Sequence, residues 1–184
     1  MTSDADGSTL PALTAQERGH AAAVLAAVHR AIAGAGGWLA FDDYLRIVLY
    51  APGLGYYSVG GVKFGVGGDF VTAPEISALF SHCLARQCAE ILLATGGGSL
   101  LELGAGTGRM AAAALLALDR LGQPPERYCI LEVSAQLRAR QRATLSALPA
   151  ALAQRVSWLE TLPAAPFDGV VLANEVADAL PFQR

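Results

Sequence analysis

LELGAGTGRMA, residues 101–111, runs an apolar segment into three glycines at alternate positions and then into a helix-forming stretch. A glycine cluster carries weight where a strand hands over to a helix, because the helix N–H groups then point at whatever the loop holds. Gly104, Gly106 and Gly108 let the backbone turn tightly and approach a ligand closely. Glu102, at the end of the strand, is expected to point a carboxylate into the same crevice. The dinucleotide fingerprint G-x-G-x-x-G/A wants a small residue three positions after its second glycine. Here Arg109 stands in that place, and the third glycine comes one position early, at Gly108. A long arginine impedes the close helix–strand contact that the last glycine gives a nucleotide binder, so an NAD- or FAD-dependent oxidoreductase is a weaker reading. A purely structural glycine turn is the competing explanation.

Working outward, strands and helices alternate from Ser99. SLLELG (99–104) is a short strand and RMAAAALLALDRLG (109–122) a helix. YCILEV (128–133) is a second strand, and SAQLRARQRATLSAL (134–148) a helix with Ser134 as N-cap. RVSWLE (155–160) is a third strand, and FDGVVLANEV (167–176) contains a fourth. Such alternation predicts right-handed crossovers and a parallel α/β sheet. Glu132, at the tip of the second strand, offers two oxygens that can accept both hydroxyls of a ribose. An exposed acid at a strand end is the alternative. Asn174 and Glu175 follow GVVLA at the carboxyl end of the fourth strand, where open α/β sheets hold their ligands; they also suit simple helix caps.

Upstream of Ser99 no such alternation is present. Thr14 and Glu17 fit a capping box at the head of a helix over RGHAAAVLAAVHRAIAGAGG (18–37), which glycines end. FDDYLRIVLY (41–50) has helical spacing, and APGLGYY (51–57) turns the chain. The expected organisation is a disordered N-terminus (1–13), a helical cap (14–68) and a binding domain (69–184). In GVGGDFVTAPEIS (65–77), Thr72 and Glu75 fit a second capping box with Pro74 in the first turn. Ile76, Leu79, Phe80, Cys83, Leu84, Cys88, Ile91 and Leu92 recur at helical spacing, which predicts one amphipathic helix to about Thr95.

Composition narrows the function. The chain has 184 residues, 53% of them hydrophobic, enough for a sizeable core. A net charge of −3 argues against non-specific binding to nucleic acid. The three cysteines lack CxxC spacing and form no ligand pattern with the three histidines, so they read as buried hydrophobes and no metal is expected. The apolar run AAAVLAAV (21–28) is too short to span a bilayer, and the acidic N-terminus resembles no targeting segment; no membrane insertion and a cytoplasmic location are expected.

Taken jointly, LYAPGLGYYS, GGDFVTAPEIS, LLELGAGTGRMA, LEVSAQLRARQ and LANEVADALPF resemble, in order, the MidA (DUF185, NDUFAF7-like) family of class I methyltransferases that use S-adenosyl-L-methionine (SAM). The resemblance covers residues from about 38 to the end, and GDFVTAPEIS is its most specific part. It implies a Rossmann-like class I sheet of parallel strands in the order 3-2-1-4 under an N-terminal helical cap. It implies that Glu102, Gly104, Gly106 and Gly108 hold the methionine end of SAM, and that Glu132 holds the ribose. Gly68, Asp69, Thr72 and Pro74 line the pocket, while Asn174 and Glu175 border the transferring methyl as the catalytic pair. The implied activity is methylation of a protein, at arginine, in connection with respiratory complex I assembly. Family members continue for about as long again past the last motif, so the remaining strands are expected to be missing and the chain truncated. A non-catalytic SAM-binding assembly factor is therefore the rival reading, and the fourth strand is expected to be an exposed edge open to self-association or to a complementing chain.

Overall fold

The computed structural model of the protein describes residues 12–59 and 71–183. The expected N-terminal disorder falls mostly outside them, as do Gly68 and Asp69. The chain divides into two compact units, Met1–Val59 with Pro181–Arg184, and Gly60–Leu180.

In the first unit, α1 (Ala15–Gly34) starts on the expected capping box: the Thr14 hydroxyl accepts from the Glu17 N–H, and the Glu17 carboxylate accepts from the Thr14 N–H at 2.6 Å. The segment expected to be a single helix is α2 (Phe41–Leu45) followed by one wider π-helical turn, Arg46–Tyr50. The Phe41 ring meets Phe182 edge-on at 5.2 Å, which places the last residues with this unit.

The second unit begins with a departure from the sequence reading. The expected long helix is two: α3 (Ala73–Ile76) and α4 (Ala78–Thr95). Ser77 separates them in extended conformation, and its hydroxyl caps α4 by accepting from the Leu79 N–H at 3.1 Å. Thr72 is the N-cap of α3 without a side-chain cap bond, so the second capping box does not form. The break also re-aims the apolar stripe. Of the expected stripe, Cys88 and Leu92 are buried, while Ile76, Leu79 and Phe80 are exposed and Ser81, Ala85 and Ala89 are buried in addition.

Four strands follow as expected: β1 (Ser99–Leu103), β2 (Tyr128–Leu131), β3 (Val156–Leu159) and β4 (Gly169–Leu172). All pairs are parallel, in the order β3-β2-β1-β4. The crossovers are α5 (Arg109–Arg120), α6 (Ala135–Leu145) and a short α7 (Ala150–Ala153), the last not foreseen. One cluster joins Ala85, Cys88 and Leu92 of α4 to Ala111, Leu115 and Leu118 of α5 and to Leu100, Tyr128, Ile130 and Leu172 of the sheet. The many alanines of α4 and α5 let two helix backbones sit close together over the strands. Among the described residues β4 pairs only with β1, and Val171 on it is 55% exposed.

Candidate functional site

β1 and β4 are in register, so their carboxyl ends finish side by side; the loop after β1 and the segment after β4 meet there. Gly104, Gly106 and Gly108 all have positive φ, +62°, +54° and +82°, which explains three glycines at alternate positions. What surrounds each differs. A Cβ on Gly108 would stand 3.2 Å from the backbone of Gln141, and one on Gly104 would stand 3.2 Å from Val176 Cγ2. Around Gly106 no heavy atom of the described residues lies within 4 Å of the Cβ position. Two of the glycines admit neighbouring protein; the middle one faces open space.

The loop is held from three sides. Gln141 of α6 donates through Nε2 to the Gly106 carbonyl at 3.1 Å. Thr144, one turn along, donates to the Thr107 carbonyl at 2.8 Å. From α3, the Glu75 carboxylate accepts from the Thr107 hydroxyl and pairs with Arg109 at 3.6 Å. Glu75 thus fastens the motif helix to the glycine loop instead of capping its own helix. Spacing alone could not distinguish the two, because an acid in a first helical turn suits either.

Glu132 ends β2 and is buried. Its Oε1 accepts from the Ser134 N–H at 2.9 Å and its Oε2 from Gln141 Nε2 at 3.0 Å, leaving acceptor capacity on both oxygens. Burial raises its carboxyl above the ordinary range, opposed by these bonds and by the Arg138 charge. Arg138 braces the same corner, donating to the Glu132 carbonyl at 2.7 Å and to Glu160 at 2.7 Å.

Glu102, at the end of β1, is almost wholly buried. It shares a sheet face with Leu100, beside Ile130 and Leu172 in register, and is 1% exposed. The Tyr128 hydroxyl donates to its Oε2 at 2.6 Å. Its carboxylate is thus enclosed against Tyr128, on the same sheet face as Ile130. Burial pushes it up to about 7 against that hydrogen bond, with a further push from Glu132. Tyr128, buried beside Glu102, is raised well above its usual value.

Of the remaining expected residues, Pro74 is buried in α3 and Thr72 half-buried. Asn174 is half-buried and Glu175 exposed. Glu175 has φ +51°, and among the described residues it is the one non-glycine with positive φ. A glutamate in the left-handed region carries about 1 kcal/mol of backbone strain. Sequence reasoning missed Gln141, Thr144 and Trp158. The signal for Gln141 was present: Leu137, Gln141 and Leu145 fall at i, i+4 and i+8, which puts a glutamine on the apolar stripe of α6.

Residues 83–184 match the family model Methyltransf_28, which describes S-adenosyl-L-methionine-dependent methyltransferases. Among curated proteins, the zebrafish (Danio rerio) mitochondrial protein arginine methyltransferase NDUFAF7 is 30% identical over 80% of this chain and 40% of its own length. The human counterpart is also 30% identical, over 77% and 37%. Among solved structures, a COG1565 superfamily member from Burkholderia thailandensis bound to S-adenosyl-homocysteine (SAH) is 49% identical. It superimposes with a TM-score of 0.85 over 94% of this chain and 46% of its own. The chain thus spans about 40% of the length of the curated relatives it matches. A parallel sheet in the order 3-2-1-4, a three-glycine loop after β1 and a buried acid after β2 agree with that match, and the chain belongs to the family of S-adenosyl-L-methionine-dependent methyltransferases.

Proposed function

We propose that the protein binds SAM in the crevice above Gly106 and takes part in methyl transfer to an arginine of another protein. The observation that carries this reading is the pairing of open space over Gly106 with a buried, half-satisfied carboxylate at Glu132. The residues present fit the group: a nucleoside offers ribose hydroxyls to Glu132, and the loop and α5 N-terminus offer N–H groups to a carboxylate. Bound SAM supplies an electrophilic methyl on a sulfonium. The chain's own part is positioning and electrostatics, which carry most of the rate effect in such displacements. Gly104, Gly106 and Gly108 hold the methionine end. Thr72 and Pro74 line the pocket from the α3 side, and Asn174 borders the methyl.

Glu175 grips the substrate guanidinium, as a carboxylate can in a two-point fork, and accepts the proton that the methylated nitrogen gives up. Glu102, buried against Tyr128, supports the methionine end by fixing the end of β1 that leads into the glycine loop. The curated relatives' names point to a protein substrate. A subunit of respiratory complex I is the finer assignment we propose. We also propose a cytoplasmic location for this chain, while those relatives are named as mitochondrial; among the described residues no helix is long and apolar enough to cross a membrane.

Two measurements test this. Calorimetry with SAH should show one site per chain, and no binding would end the proposal. In a longer relative carrying the same NEV segment, the change corresponding to Glu175→Gln should lower methyl transfer by about 100-fold or more with SAH affinity unchanged. Unchanged turnover would remove Glu175 from the mechanism. Binding by this chain without transfer would identify it as a SAM-binding module.

The open edge of β4 carries a separate expectation. Unpaired N–H and C=O groups beside an exposed Val171 make a template for another strand. The chain alone should self-associate at tens of micromolar, and Val171→Lys should shift it toward monomer in sedimentation velocity. A wild-type chain that sediments as monomer at all concentrations would contradict this.

A further inference from the structure

Gln141 is 0% exposed and makes three hydrogen bonds, each to a different part of the domain. Nε2 donates to the Gly106 carbonyl at 3.1 Å and to Glu132 Oε2 at 3.0 Å. Oε1 accepts from Trp158 Nε1 at 2.9 Å. The last bond fixes the other two. An indole N–H can only donate, so it selects the amide orientation that puts the oxygen toward β3 and leaves the NH2 group for the loop and the acid. Trp158 is itself held: the Arg142 guanidinium lies 5.1 Å over its ring. Gly108 completes the arrangement, since its missing side chain lets the Gln141 backbone approach to 3.2 Å of the Cβ position.

A buried amide with every polar atom engaged adds no apolar contact area to the core. A hydrocarbon of equal size would fill the site without needing three partners. We propose that Gln141, locked by Trp158, is a positioning residue that aims the Glu132 carboxylate at the ribose hydroxyls of the bound nucleoside while tying that acid to the glycine loop. This rests on the SAM-site reading above. With one NH2 group bridging them, the two halves of the pocket keep a fixed separation, and Glu132 keeps its remaining lone pairs turned outward. Outer-shell partners of metal ligands tune affinity by about 10- to 100-fold, and the same orienting logic sets the scale expected here.

The test compares two ligands on the full chain: SAH, and its analogue lacking both ribose hydroxyls. Gln141→Met keeps the volume and removes the bridge. It should weaken SAH by about 10- to 100-fold and the dideoxy analogue at least fivefold less, so the preference for the ribose hydroxyls shrinks. Equal losses on both ligands, or none, would overturn the inference, because a merely structural role lowers both alike. If Gln141→Met does not fold, Trp158→Phe keeps the amide and removes only its lock. It should weaken SAH roughly threefold or more with the analogue unaffected, and equal losses there would overturn it too. If the wild-type chain binds neither ligand, the SAM-site reading itself fails, a result distinct from the loss of discrimination.

Discussion

Gly106→Ala is expected to weaken SAH binding by at least about tenfold while lowering stability by only about 1 kcal/mol, the ordinary cost of a non-glycine residue at positive φ. A methyl group there meets no atom of the described residues within 4 Å, so the fold tolerates it; what it occupies is the space over the loop. Gly108→Ala is the control. Its φ of +82° carries the same penalty, and its Cβ adds a 3.2 Å contact with Gln141 Cα, a backbone atom that cannot swing aside. Stability should then fall by about 2–3 kcal/mol, with binding lost partly through unfolding. Urea denaturation and calorimetry on both variants separate the two effects. If Gly106→Ala binds SAH as the wild type does, the ligand does not approach the loop at this point.

The second large effect concerns Glu102 and pH. Its carboxyl stands at about 7 in the folded protein against an ordinary 4.5. The folded state therefore holds a proton that the unfolded chain has already released. Below pH 4.5 both states are protonated and the contribution to stability is whole. Between about 4.5 and 7 it is lost as pH rises, and the total loss is about 3 kcal/mol. Glu132, also raised by burial, acts in the same direction. Glu102→Gln retains an acceptor for the Tyr128 hydroxyl but cannot ionise. Its stability should match the wild type near pH 4 and exceed it by up to about 3 kcal/mol near pH 8, less any weakening of the Tyr128 bond. Parallel pH profiles from urea unfolding would show that Glu102 does not titrate in this window.

Much of the fold was legible because it depends on short-range rules. Short apolar runs alternating with helical segments set the four strands and the main crossover helices, and Thr14, Glu17 and Ser134 cap where they were expected to. The failures share one cause. Thr72 and Glu75 have the spacing of a capping box, yet the Glu75 carboxylate goes to Thr107, 32 residues away, and Ser77 starts α4 in its place. A local bond of modest strength lost to a partner brought in by packing. Glu102 shows the same thing: its place in the sequence says strand end, but the face it occupies follows from register with β2 and β4.

The sequence by itself determined the order of elements, the parallel sheet and the glycine loop, since three alternate residues at positive φ exclude nearly every other side chain. Only the tertiary structure decided which groups meet: that Glu132 takes Ser134 and Gln141 while Glu102 is buried against Tyr128, and that Gln141 and Thr144 grasp a loop 35 and 37 residues distant. Dihedral preference and periodicity are properties of neighbours in the chain. Hydrogen-bond partners across a core are chosen by how the elements pack, and a buried polar atom must take the partner it finds there.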